Sequence, residues 1–335
     1  MSSVTQDTKE KTVSKWSDLG IRLLSAAVLV LFQIAVICGG RYCLFAEIIV
    51  FQAIAFYEII RIGSDPKQEE SLSYNVRIFP YVLMIIATYY LSAPYFLKNI
   101  FCDSILSDYH NLICYLALVI AFAIQIIGLK PETLPYSYKK LGWSISGIVF
   151  VVVPANIMAR VAQKSTFWFF LSIALIIWND SAAYFCGRIF GRVPLIKLSP
   201  KKTLEGFVGA LIFVPVLGFF APLVFAKIPI FFCHNVKPFD FYVQCETPPE
   251  FVPFEISILS NKFSILPSQI HGFVMGMFAS YLAPFGGFLA SGLKRAASIK
   301  DFGNIIPGHG GILDRIDCQL VMAAFSYLYI KAFTK

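Results

Sequence analysis

The chain alternates long apolar runs with short polar ones. Apolar runs fall near residues 21–39, 44–60, 79–97, 112–129, 143–158, 167–186, 207–226, 270–290 and 318–333. Each approaches the roughly 20 residues that a helix needs to cross a hydrocarbon layer. The pattern therefore predicts nine transmembrane helices in an all-α, polytopic integral membrane protein. Residues 1–18 read as a polar tail, 19–335 as a single transmembrane domain, and 227–266 as its one long connection.

Composition excludes a soluble enzyme. Of 335 residues 57% are hydrophobic and 14% charged, against about 45–50% and about 25% in soluble domains. A net charge of +8 raises the question of nucleic acid. The positive residues sit in short loops between apolar runs, as membrane topology alone produces, so no nucleic-acid partner is expected.

Loop 187–202 carries Arg188, Arg192, Lys197, Lys201 and Lys202 without an acid, whereas 227–266 sets three lysines against Asp240, Glu246, Glu250 and Glu255. The first is expected on the cytoplasmic side and the second across the membrane. Alternation then places 130–142 inside and 98–110 outside, with only Arg160 and Lys164 out of step. The eight cysteines show no C-x-x-C pair. Cys233 and Cys245 share the long non-cytoplasmic loop, either as a disulfide or as two thiols. Gly272-x-x-x-Gly276 suits a close helix contact, within one chain or in a homodimer.

Two polar clusters call for chemistry. In the first, Asp180 interrupts an apolar run, which costs a few kcal/mol unless it faces a partner or a water-filled cavity. Ser199-Pro200 reads as the N-cap and first turn of the next helix, with Lys201 and Lys202 opposing its dipole unless an anion binds there. In the second, Asp314 and Asp317 lie three apart and share one helix face. Paired carboxylates beside Lys294, Arg295, Lys300 and Arg315 suit Mg²⁺ and a polyphosphate, and the turn at Gly310 and Gly311 lets backbone N–H groups approach phosphate oxygens. His309 reads either as a base or as a turn histidine bonded to backbone. Glu58 can pair with Arg61, while Glu47 has no obvious partner. A transporter or channel would account for the spans, Glu47 and Asp180, but would leave these clusters without work.

At these residues the sequence resembles the CDP-diacylglycerol synthases, or phosphatidate cytidylyltransferases. The family's signature, S-x-x-K-R-x4-K-D followed by P-x-H-G-G-x-x-D-R-x-D, is matched from Ser291 to Asp317. The run 195–206 resembles a second family segment, and Ala283-Pro284-Phe285-Gly286-Gly287 and Asp317-Cys318-Gln319 look like the eukaryotic branch. Gly287 departs from bacterial members, which carry an aspartate there, so Asp180 or Asp301 becomes a candidate replacement ligand.

The resemblance implies transfer of a cytidylyl group from CTP to phosphatidate in the bilayer, with Mg²⁺ as cofactor and catalytic loops on the cytoplasmic side of the endoplasmic reticulum. Asp314 and Asp317 would hold Mg²⁺, and Lys294 and Arg295 the reacting phosphates. Ser291, Lys201, Lys202, Lys300, Arg315, His309, Gly310 and Gly311 would steady the substrates. A CTP-dependent polyprenol or lipid kinase is the enzymatic alternative.

Overall fold

The computed structural model describes residues 24–25, 27–96, 108–225, 227–233, 245–258, 261–306 and 310–334. Helices dominate. In chain order they are α1 (Ala27–Cys38), α2 (Arg41–Gly63), α3 (Pro66–Ser71), α4 (Tyr74–Phe96), α5 (His110–Ile127), α6 (Leu134–Gly147), α7 (Val153–Lys164), α8 (Thr166–Phe190), α9 (Leu204–Phe225), α10 (Pro229–Phe232), α11 (Pro267–Tyr281), α12 (Pro284–Ala296) and α13 (Leu313–Phe333). One wide π turn, Ile148–Val152, joins α6 to α7. Two antiparallel hairpins complete the set, β1 (Pro194–Ile196) with β2 (Ser199–Thr203) and β3 (Phe254–Ile258) with β4 (Asn261–Ile265).

Among the described residues eight helical stretches are long and apolar enough to cross a membrane, the joined α6–α7 and α11–α12 each counting as one. They coincide with eight of the nine expected spans. The first expected span and the tail 1–18 lie wholly or partly outside the described residues, with α1 covering the span's second half. Their outward faces are apolar. Helix α5 buries only His110, Cys114, Ala121 and Gln125, and turns Leu112, Val119, Ile120 and Ile127 outward. A helix so weakly buried yet so apolar belongs against lipid.

The interior depends on close backbone approach. A Cβ at Gly218 would lie 2.3 Å from the Gly272 carbonyl oxygen, and one at Gly272 would lie 2.1 Å from that of Gly218. Gly276 faces the Pro215 Cα in the same seam. The Gly272-x-x-x-Gly276 motif thus packs α11 on α9 within one chain. Around this seam Leu175, Val214, Met275 and Met322 form a core without solvent exposure. A second core joins Phe56 and Ile59 of α2 to Phe302, Ile312 and Leu313, which ties the chain's early helices to its last loop.

Two elements differ from expectation. Ser199-Pro200 opens no helix: it starts β2, and α9 begins at Leu204. Thr203 is the actual N-cap, its Oγ1 accepting the Gly206 N–H at 3.2 Å. Glu205 turns back to accept the Val193 N–H at 3.2 Å, which closes the hairpin onto the helix.

Arg160 and Lys164 also acquire a physical explanation. Arg160 donates to the Leu91 carbonyl at 2.9 Å and stacks 4.2 Å from the Tyr95 ring centroid. Lys164 donates to the carbonyls of Ile330 and Thr334 at 3.1 and 2.9 Å. Both cations lie toward the C-terminal ends of neighbouring helices, where the dipole is negative, and add a donor to carbonyls there. Their charge is consumed in packing rather than in orienting a loop.

The long connection lies at this same end. Cys233 and Cys245 are joined, with Cα atoms 5.9 Å apart, and Phe251 packs edge-on against Phe167 at 4.8 Å near the start of α8.

Candidate active site

The two polar clusters meet at the opposite end of the bundle. Asp180 lies 13 residues beyond Phe167 along α8, about 20 Å at 1.5 Å per residue. The hairpin β1–β2 leaves α8 and folds onto α12: Leu198 at its tip is 3.7 Å from where a Cβ on Gly292 would sit. Lys202 reaches inward, its Nζ 4.9 Å from the Phe288 ring centroid. A Cβ built on Gly287 would lie 3.4 Å from Lys202 Nζ and 3.5 Å from Asp317 Oδ2. Gly287 therefore leaves open a small cradle between a cation and a carboxylate. Asp180 lies within electrostatic range of both Asp317 and Lys202, and Arg315 within range of Asp180.

Lys294 and Asp314 form the second half of the site. Lys294 Nζ donates to Asp314 Oδ1 at 2.6 Å, with side-chain exposures of 13% and 4%. Lys294 also lies within electrostatic range of Asp317, one turn along α13, and 5.1 Å from the Phe302 ring centroid. Asp314 Oδ2 accepts the Phe302 and Gly311 N–H groups at 2.8 and 3.1 Å. Both Asp314 oxygens are thus engaged by the chain itself. The two acids share a helix face as expected but do different work, since Asp314 holds Lys294 and the preceding loop while Asp317 faces Lys202.

The glycine turn differs from its expected use. Gly310 adopts φ +85° and exchanges backbone hydrogen bonds with Ile306, while Gly311 donates to Asp314. The next two N–H groups, Ile312 and Leu313, donate to Glu58 at 3.1 and 2.8 Å. These N–H groups are not presented to a phosphate. Gly310 supplies a left-handed turn, and Gly311 makes room for the Glu58 carboxylate, whose Oε1 would stand 2.5 Å from a Cβ there.

The remaining expected residues differ in exposure and setting. Arg295 is exposed and donates to the Ile299 carbonyl at 3.3 Å. Ser291 is half-buried one turn before Lys294, and Lys201, Lys300, Asp301 and Arg315 are exposed. Asp301 stands beside Gly310, its Cβ 3.5 Å from a Cβ built there. His309 lies outside the described residues. Ser298 bends α12 into this loop at φ 56°, with Ile299 N bonding back to the Lys294 carbonyl at 2.9 Å, a Schellman closure carrying serine where glycine is usual.

Glu58 and Glu47 have partners far from their local sequence. Glu58 bonds to α13, 254 residues away, rather than simply pairing with Arg61. No local signal in the sequence marks this pairing, because the absence of a side-chain cap at Ile312 emerges only once the helix start is known. Glu47 is held by Gln33 of α1 at 3.2 Å.

Comparison with known proteins bears on this site directly. The profile of the cytidylyltransferase family matches residues 20–333, which contain every element of the site. The chain belongs to that family. It is 42% identical to phosphatidate cytidylyltransferase 1 of Arabidopsis thaliana over 236 residues, covering 68% of this chain and 56% of the relative. It is 33% identical to phosphatidate cytidylyltransferase 1 of Homo sapiens over 339 residues, covering 96% of this chain and 74% of the relative. Phosphatidate cytidylyltransferase 2 of Homo sapiens is matched at the same identity over 96% and 76%. This cytidylyltransferase is thus a nucleotidyltransferase built as a membrane-embedded helical bundle.

Proposed function

We propose that the protein transfers the cytidylyl group of CTP to phosphatidate, forming CDP-diacylglycerol and releasing pyrophosphate. The observation that carries this reading is the convergence, at one end of an apolar bundle, of Lys202, Lys294 and Arg315 with Asp180 and Asp317. Two anionic substrates must approach each other. A cluster of fixed cations in a poorly hydrated site offsets their repulsion far better than mobile ions in water do. The names of the relatives supply the two substrates, and the placement suits them, because a nucleotide enters from water and a lipid from the surrounding hydrocarbon.

In this reading a phosphate oxygen of phosphatidate attacks the α-phosphorus of CTP, and the bond to the pyrophosphate oxygen breaks. The attacking oxygen is already ionised, so no base is required. Lys294, fixed by Asp314, orients the reacting phosphates, and Arg295 guards the exposed side of the same turn. Lys202, Lys201, Lys300 and Arg315 hold the triphosphate, with Ser291 at the rim. Immobilising both reactants in line accounts for several kcal/mol of rate enhancement.

The residues present fit a magnesium ion. Among the described residues no three His, Cys, Asp or Glu side chains converge as a resident cage. Asp317 borders the Gly287 cradle, and Asp180 lies within electrostatic range of Asp317. Two carboxylates with substrate phosphates and water completing the shell are the usual environment of Mg²⁺. When bound there the ion would neutralise charge gathering on the departing pyrophosphate. Asp314, with both oxygens engaged, is replaced by Asp180 as the partner of Asp317.

We place the protein in the endoplasmic reticulum membrane with this end facing the cytoplasm, where CTP is made. The test uses purified protein in nanodiscs containing phosphatidate. Label at the α-phosphorus of CTP should appear in lipid and label at the γ-phosphorus in pyrophosphate. Transfer of the γ-label to lipid would instead identify a lipid kinase, and nucleotide-independent solute flux in liposomes a transporter.

A further inference from the structure

We propose that Glu58 is a positioning residue for the transfer site, acting through the first turn of α13; this rests on the functional reading above. Glu58 belongs to α2, which contributes no cation to the site. Its side chain is 2% exposed. Each carboxylate oxygen accepts one N–H group, Oε1 from Ile312 and Oε2 from Leu313. A Cβ at Gly303 or at Gly311 would lie 2.5 Å from Oε1. Both ends of the loop 303–311 therefore close around one buried carboxylate, and neither has room for a side chain.

The consequence reaches Lys294. The N–H of Gly311 goes to Asp314, the next two to Glu58, and the other oxygen of Asp314 to Lys294. The position of the Lys294 ammonium thus depends on a relay that begins in α2. The relay also fills the positive end of α13 with the protein's own anions. Substrate phosphates are then left to the side-chain cations, where transfer takes place, and are not drawn to a competing helix terminus. A carboxylate is required because two N–H groups point at one side chain. Glutamine offers one oxygen and turns an NH₂ group toward the second N–H.

The experiment compares wild-type protein with Glu58→Gln, Glu58→Asp, Gly311→Ala, Gly303→Ala and the Glu58→Gln/Gly311→Ala double variant in phosphatidate nanodiscs. Glu58→Gln should lower kcat about 10- to 100-fold, the scale of an ångström-sized misplacement, with the KM for CTP changed less than about threefold because Glu58 touches no substrate. Glu58→Asp, which keeps the charge, should recover part of the loss. Gly311→Ala should mimic Glu58→Gln, and the double variant should be no worse than the poorer single one. Wild-type kcat in Glu58→Gln, or multiplied losses in the double variant, overturns the proposal. If Glu58→Gln does not fold, the two glycine variants decide, and wild-type kcat in both overturns it. Absence of labelled lipid from wild-type protein would instead defeat the functional reading on which the proposal depends.

Discussion

Lys294 and Asp314 form an ion pair 2.6 Å long in which the carboxylate is almost wholly buried and its second oxygen is held by two backbone N–H groups. Removing one partner of such a pair leaves an uncompensated charge. Asp314→Asn should therefore cost about 3 kcal/mol of stability as well as most of the turnover. Asp317→Asn should abolish turnover and shift the Mg²⁺ requirement while leaving the thermal midpoint near that of the wild type. Melting curves and Mg²⁺ titrations of the two variants separate the roles. Equal behaviour of the pair would contradict the division.

Gly287 lies where a side chain would meet Lys202 and Asp317. Gly287→Asp would add a third carboxylate to the Asp180–Asp317 pair, with the Cys318 sulfur, 3.0 Å from the new Cβ, giving way by a few tenths of an ångström. The expected result is tighter binding of Mg²⁺ in the absence of nucleotide, read by calorimetry. Unchanged affinity would move the ion away from this cradle.

Thr203 caps α9 and connects it to the hairpin that delivers Lys202. Thr203→Ala should lower stability by about 1 kcal/mol and raise the KM for CTP, while Thr203→Ser should restore both. A melting curve and a substrate titration suffice.

Ser298 holds a left-handed backbone at φ 56°. Such a conformation costs a non-glycine residue roughly 1–2 kcal/mol. Ser298→Gly should raise the melting midpoint with the Schellman closure intact. A fall would show that the serine side chain contributes a contact outweighing the strain.

Lys164 satisfies carbonyls at the end of α13 remote from the site. Lys164→Met should lower stability by about 1 kcal/mol, because the Thr334 carbonyl loses its donor while that of Ile330 keeps the Thr334 N–H and hydroxyl, and leave kcat as it is. A matching loss of turnover would reveal coupling along the whole length of α13.

The spans were legible because lipid imposes one requirement on every helix, a continuous apolar surface, and eight of nine expected segments appear as such among the described residues. Their ends were less legible. The run expected at 143–158 continues back to Pro131, because Lys140 is neutralised by Glu69 at 2.6 Å and Tyr136 bonds the backbone of Asp65. These contacts bridge about 70 residues and leave no local trace. In the site, the spacing of Asp314 and Asp317 placed them on a shared face, but their division of labour depends on distant groups: Phe302, Gly311 and Lys294 engage both oxygens of Asp314, whereas Asp317 accepts the Cys318 N–H through one oxygen. The hairpin was hidden by Ser199-Pro200, whose capping chemistry is genuine while the helix starts only after Thr203.

The Cys233–Cys245 link and the cation cluster occupy opposite ends of the same helices. A covalent sulfur bond persists in an oxidising lumen, whereas a nucleoside triphosphate is plentiful in a reducing cytosol. The bundle is therefore asymmetric in its chemistry as well as in its charge, and only one of its two insertions would suit both ends. Under the orientation proposed above, protection of the bridge from reduction would report on insertion independently of turnover.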